Sequence, residues 1–122
     1  MYFEPNRLTN DLHVGHFDSE NRLHGEGVHR SLNGDQYIGQ FKADQMHEIG
    51  RYTYKNGTEY YGEWKGNNPD GKGLLYQKHE TYQGKWKDSK KHGLGVREDF
   101  ITDQIHKEVW DNGQKIDETR IF

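Results

Sequence analysis

The chain has 122 residues, 30% hydrophobic and 30% charged, with a mean hydropathy of −1.29, so it is long enough for one domain but poor in aliphatic material. That balance points first to disorder, but 13% aromatic residues, 15 glycines and only 2 prolines oppose it. A net charge of −3 leaves no electrostatic footprint for nucleic acid, and the absence of cysteine excludes disulfides, thiolate metal sites and a cysteine nucleophile and suits a reducing, cytoplasmic setting.

At the N-terminus, Met1 to Arg7 carries neither a basic n-region nor an apolar h-region, so no secretory signal is expected. No window of about 18 apolar residues exists for a membrane-spanning helix. Residues 1–12 read as an extension or cap, with Tyr2, Phe3 and Leu8 as its apolar members.

From residue 13 onward the chain repeats itself. Tyr37-Ile38-Gly39-Gln40-Phe41-Lys42, Tyr60-Tyr61-Gly62-Glu63-Trp64-Lys65 and Tyr82-Gln83-Gly84-Lys85-Trp86-Lys87 are three copies of one pattern. The last two are followed by Gly71-Lys72-Gly73 and Gly93-Leu94-Gly95; the first keeps only Gly50, with Glu48 at the other glycine position. His13 to Phe17 with Gly25-Glu26-Gly27 form a weaker first copy, and His106 to Trp110 with Asn112-Gly113 a truncated last one. The units fall at 13–36, 37–59, 60–81, 82–105 and, in part, 106–115, and leave 116–122 as a tail.

Within a unit the period is two: Tyr60, Gly62 and Trp64 alternate with Tyr61, Glu63 and Lys65, which predicts a strand with one aromatic and one polar face. Gly66 to Asp70 reads as a turn, and Asn33-Gly34 and Asn56-Gly57 carry the pair that suits turns with positive φ between units. Each unit is thus a β-hairpin. About five in series, with no helical crossover, predict an all-β fold: one elongated, twisted, single-layer antiparallel sheet. At about 4.8 Å per strand, ten strands extend roughly 45–50 Å. The recurring strand glycines mark places where a neighbouring aromatic ring lies too close for a Cβ. Rings that bury about 150–250 Å² each replace the missing Leu, Ile and Val.

Tyr-x-Gly-x-Trp/Phe-Lys, then Asp- or His-Gly-x-Gly, then a Tyr/Thr-rich stretch and Asn-Gly, at a spacing of 22 to 23 residues, resembles the MORN (membrane occupation and recognition nexus) repeat. Departures are Glu48 for glycine, His79-Glu80 where Asn-Gly belongs, and His13 and His106 where tyrosine belongs. The resemblance implies a non-enzymatic spacer, scaffold or partner-binding surface, as in ciliary radial spokes, cytoskeletal assemblies and membrane-contact proteins. Where the family is joined to catalysis, a separate domain supplies it, and residues outside the repeat are too few here to form one. Implied partners are other subunits of a multiprotein complex, with homodimerisation as an option. The implied setting is the cytoplasm, with the axoneme favoured.

No cofactor, metal or catalytic residue is expected. His24, His47 and His92 recur with the motif, and consecutive units hold them roughly 10 Å apart, too far for one metal. Ser19, Ser31 and Ser89 fall in turns, outside any nucleophile elbow. The Gly-x-Gly pairs open no helix and so cradle no phosphate.

Two surfaces remain. The aromatic face, Tyr37, Phe41, Tyr60, Trp64, Tyr82, Trp86 and Trp110, is expected to be both packing ladder and candidate protein contact. The ends, Tyr2, Phe3, Ile121 and Phe122, are candidate caps or docking points, since an open sheet leaves unpaired edges. The cluster Lys85, Lys87, Lys90, Lys91 and Arg97 is the candidate for an alternative role at anionic lipid.

Overall fold

The computed structural model describes residues 2–5, by their backbone, and residues 11–122. It is one antiparallel sheet of eleven strands in chain order: β1 Tyr2–Pro5, β2 Leu12–Phe17, β3 Leu23–Arg30, β4 Gln36–Lys42, β5 Gln45–Thr53, β6 Glu59–Lys65, β7 Asn68–Tyr76, β8 Glu80–Lys87, β9 Lys90–Asp99, β10 Gln104–Asp111 and β11 Gln114–Arg120. The expected meander of hairpins is present. The sheet also runs past the limits 13–115 expected of it, because β1 pairs with β2 and the tail supplies most of β11. Leu8 lies outside the described residues.

Three of the hairpins close through two residues that both have positive φ: Ala43 and Asp44, Gly66 and Asn67, Asp88 and Ser89. Asn112 and Gly113 repeat the arrangement between β10 and β11. This geometry matches the right-handed twist of paired strands. The turn expected over Gly66–Asp70 is therefore only two residues long, and Pro69 and Asp70 already belong to β7. Each tight turn rests on the preceding unit: Asp44 N donates to Leu23 O at 3.0 Å, Asn67 N to Met46 O at 3.2 Å and Ser89 N to Pro69 O at 2.9 Å.

Strand register puts the glycines in a single row. Gly15, Gly27, Gly39, Gly50, Gly62, Gly73, Gly84 and Gly95 face one another in sequence across β2 to β9. On one side of this row lie the repeat aromatics. A Cβ on Gly50, Gly73 or Gly95 would overlap the ring of Tyr37, Tyr60 or Tyr82 of the same hairpin, so the row is a bed on which the rings lie flat. The Tyr37 hydroxyl crosses it to donate to Gln40 O at 2.8 Å, and the Tyr60 hydroxyl to Glu63 O at 3.0 Å.

Tryptophan joins one unit to the previous one. Trp64 Nε1 donates to Gly50 O at 3.0 Å and Trp86 Nε1 to Gly73 O at 3.3 Å. The rings meet edge to face in an unbroken series: Phe41–Tyr37 at 5.0 Å, Tyr37–Trp64 at 5.3 Å, Trp64–Tyr60 at 5.1 Å, Tyr60–Trp86 at 5.3 Å and Trp86–Tyr82 at 5.6 Å. That geometry adds about 0.5–1.5 kcal/mol per pair to the burial itself. With Leu23, which fills the space above Gly15, these six rings are the buried hydrophobic core.

Candidate functional site

Burial in the ladder corrects the first expectation about contact. Tyr37, Tyr60 and Tyr82 are at most 1% exposed, and Phe41, Trp64 and Trp86 are also buried. A ring pinned between a glycine bed and two neighbours has no surface left for a partner. Trp110 alone of the seven is half-buried, its Nε1 bonded to Glu108 Oε1 at 3.0 Å.

Beyond Gly95 the glycine row ends in Glu108, which faces Gly95 on one side and Glu118 on the other. Its side chain is 1% exposed and accepts from Arg97 Nε at 2.9 Å. Arg97 also reaches Glu118 at 2.8 Å and Asp99 at 3.2 Å, and Lys115 Nζ lies 2.6 Å from Glu118 and 3.5 Å from Glu108. The bonds from Lys115 and Arg97 pull the Glu118 carboxyl down to about 2. The bond to Glu108 raises Arg97 further above its already high value. Lys91 Nζ stands 4.3 Å from the Tyr82 ring and 4.6 Å from the Trp110 ring, where burial lowers its pKa.

The basic cluster read from the sequence is therefore divided. Lys91 and Arg97 belong to the ladder face, facing Trp86 and Tyr82 in register, while Lys85 lines the opposite face. Lys87 and Lys90 face each other beside the β8–β9 turn. Of the end residues, Tyr2 and Phe3 lie in β1, known here by its backbone. Ile121 and Phe122 are exposed, their backbones bonded to Ile105. Histidines meet elsewhere: His13 and His29 rings touch edge to face at 4.5 Å, and His29 Nε2 is 3.1 Å from Asp11 Oδ2.

The opposite face differs from its expected polar character. Alternation sends the residues on either side of each row glycine to this face. One line of neighbours in register reads Val28, Ile38, Arg51, Tyr61, Leu74, Gln83, Val96. Beside it, across the glycine backbone, lie Ile49, Glu63, Lys72, Lys85 and Leu94. The apolar members are uncovered: Tyr61 is 52% exposed, Leu94 50% and Ile49 46%. Two shallow grooves follow the strip. One, of about 370 Å³, is lined by Val28, Ile38, Ile49 and Tyr61; the other, of about 600 Å³, by Ile49, Tyr61, Leu74, Lys72 and Lys85. Glycines floor both.

Reading the strand Tyr60 to Lys65 alone missed this strip, since its outward residues are Tyr61, Glu63 and Lys65. The signal lay in the second strand of each hairpin, where Ile49, Leu74, Leu94 and Val96 occupy the same parity. One face of the open sheet is thus filled by its own aromatics, while the other carries exposed apolar residues interspersed with Arg51, Glu63, Lys72 and Lys85.

No curated protein matches the sequence closely enough to stand as a relative. The MORN repeat profile matches residues 13–36, 37–59, 60–78 and 82–99, at the units that the register and the glycine row define. Repeats of this kind are generally non-enzymatic modules that bind proteins or membranes. With four matches across more than half its length, the chain belongs to the MORN repeat family.

Proposed function

We propose that the chain is a non-enzymatic structural or adaptor subunit that binds a protein partner through the apolar strip opposite its aromatic ladder. The observation that carries this reading is the strip: Ile38, Ile49, Tyr61, Leu94 and Val96, each at least 39% exposed on one face of a chain with 30% charged residues. Exposed apolar residues grouped on one face, here interrupted by Gln83 and Lys85 on β8, mark an interaction site. The ladder supplies the stiffness that a platform needs, because each ring from Tyr37 to Tyr82 packs against two others and is held by a backbone hydrogen bond or a glycine bed. The grooves are open and bring together no histidine, serine or carboxylate pair of the kind that acid/base or nucleophilic chemistry uses.

A cytoplasmic, multisubunit setting is part of the proposal, with a ciliary, radial-spoke-like axonemal assembly as its specific form; family resemblance alone supports that form. Peripheral attachment to anionic membrane is the second reading, favoured by Lys85, Lys87 and Lys90. It is weakened because Lys91 and Arg97 turn to the ladder face and are engaged there.

The test is capture of a stoichiometric partner by the full chain and by two variants. Tyr61→Glu places a charge in the centre of the strip, and Leu32→Glu does so at an exposed turn. Capture is expected to fall about tenfold or more with Tyr61→Glu and to persist with Leu32→Glu, both variants melting as the parent does. Equal capture by all three would overturn the reading.

A further inference from the structure

The strip carries information about the chemistry of its occupant. Lys72 and Lys85 face each other directly across β7 and β8 on the exposed face, beside Tyr61 and Leu74 in the larger groove. Like charges directly opposed across two strands are destabilising. Among the described residues neither lysine has a carboxylate within ion-pair distance, and neither has Arg51, which faces Tyr61 one strand pair away. Glu63, the nearest acidic residue of the groove, accepts from the Lys72 backbone N–H. Three cations thus stand unneutralised along an apolar strip, in a chain whose other major charge cluster, around Arg97, is densely paired.

The form of the occupant follows from the fold. On the face of a sheet the backbone donors and acceptors are already paired within the ladder, so strand addition is confined to edges. A partner whose own backbone is satisfied fits instead, and a helix is the usual cover of a bare sheet face. A second copy placed face to face would bring its own Lys72 and Lys85 into the same strip. An anionic bilayer would spread over the whole face, where alternation places Glu26, Glu59, Glu63 and Glu98 among Lys65, Lys87 and Lys107. A local carboxylate meets neither objection.

We infer that the strip takes an amphipathic helix whose apolar side covers Ile38, Ile49, Tyr61 and Leu74 and whose flank presents carboxylates to Lys72, Lys85 and Arg51. This rests on the reading of the face as a protein-binding surface and adds the charge of the partner.

Two helical probe peptides of about 18 residues, sharing one Leu/Ile face and carrying either Glu or Lys at the flanking positions, separate the two levels. Their affinities for the full chain are read by fluorescence anisotropy. The acidic peptide is expected to bind about tenfold tighter in low salt, with the preference shrinking as salt rises. In Lys72→Glu/Lys85→Glu the order of the two peptides is expected to invert, and Tyr61→Glu is expected to weaken both. Thermal melts of the variants establish that the sheet is retained.

Equal binding of both peptides, lost in Tyr61→Glu, would overturn the acidic partner while leaving apolar docking in place. Binding of neither peptide, together with partner capture indifferent to Tyr61→Glu, would overturn both. Pelleting with vesicles of phosphatidylcholine and about one third phosphatidylserine, abolished in the double lysine variant, would assign the cations to a membrane. A dimer in solution that Tyr61→Glu dissociates would assign the strip to a second copy. Either of those results overturns the helix.

Discussion

The same repeat positions are filled in two ways along this sheet. From β4 to β8 the first slot of each hairpin holds tyrosine, the third glycine and the fifth Phe or Trp, and the result is a continuous series of rings over a flat bed. In β10 the same slots hold His106, Glu108 and Trp110, and the bed is replaced by a carboxylate held by Arg97 and Lys115. The first solution propagates, because each tyrosine is covered by the tryptophan of the next unit, Tyr37 by Trp64 and Tyr60 by Trp86. The second terminates: a buried carboxylate needs bonds, not rings, and Arg97, Glu108, Glu118 and Lys115 satisfy one another without a further unit. The ladder is apolar and rigid; the terminal cluster is polar, partly wet and sensitive to solution conditions.

The sharpest way to break the ladder is to fill its bed. Gly73→Ala places a methyl where Tyr60 Oη, Cζ and Cε2 now lie, and the ring cannot retreat because Trp64 and Trp86 hold it at 5.1 and 5.3 Å. A loss of about 3–5 kcal/mol is expected in denaturant unfolding, comparable to Tyr60→Ala. The double variant is expected to lose much less than the sum, since both changes act on one ring. Additive losses would mean that ring and glycine are not a single packing unit.

At the other end the expected effect is smaller and depends on pH. Hydrogen bonds from Lys115 and Arg97 depress the Glu118 pKa to about 2, below its ordinary 4.5. A carboxylate depressed on folding adds stability that is fully present above the unfolded value and is lost as pH falls through the folded one. Stability of the parent is therefore expected to decline between roughly pH 5 and pH 2 more steeply than that of Glu118→Gln. Tryptophan fluorescence from Trp110, compared with far-UV circular dichroism of the whole sheet, would localise the change. Identical acid profiles for parent and variant would remove Glu118 from the account.

How much of this contrast could be read in the sequence depends on the distance between the partners. The ladder was legible because its members sit within one hairpin, at the first, third and fifth positions, and recur. The recurring strand glycines and the repeat period were legible for the same reason, whereas their alignment into one row is a matter of register. Which face lies open was not legible, because covering a face is a property of register between strands 11 to 23 residues apart. The terminal cluster escaped for a related reason. In the sequence Arg97 stands with Lys85 to Lys91 as part of a basic patch, whereas β9 to β11 pairing brings it to Glu108 and Glu118. The Gly-to-Glu change at Glu108 was the available clue: a repeat that loses a bed glycine is a repeat that ends.

The junction between the two regions allows the finest comparison. Tyr60 and Tyr82 occupy equivalent slots, are each 1% exposed, and each lie over the second glycine of their own hairpin. The Tyr60 hydroxyl donates to Glu63 O, while the Tyr82 hydroxyl is buried with no hydrogen-bond partner among the described residues and burial pushes it up to about 12. Removing a bonded hydroxyl leaves a carbonyl unsatisfied; removing an unbonded one relieves a desolvated group. Tyr60→Phe is therefore expected to cost about 1 kcal/mol, and Tyr82→Phe to lie within about 0.5 kcal/mol of the parent or to stabilise it. Raised phenol pKa values stabilise the fold below about pH 10 and cease to do so as pH rises toward the folded value, so Tyr82→Phe is also expected to flatten the alkaline limb of the stability profile. Equal costs at the two positions would mean that the last rung of the ladder is bonded like the others, and that the transition to the polar end begins one strand later, at Arg97.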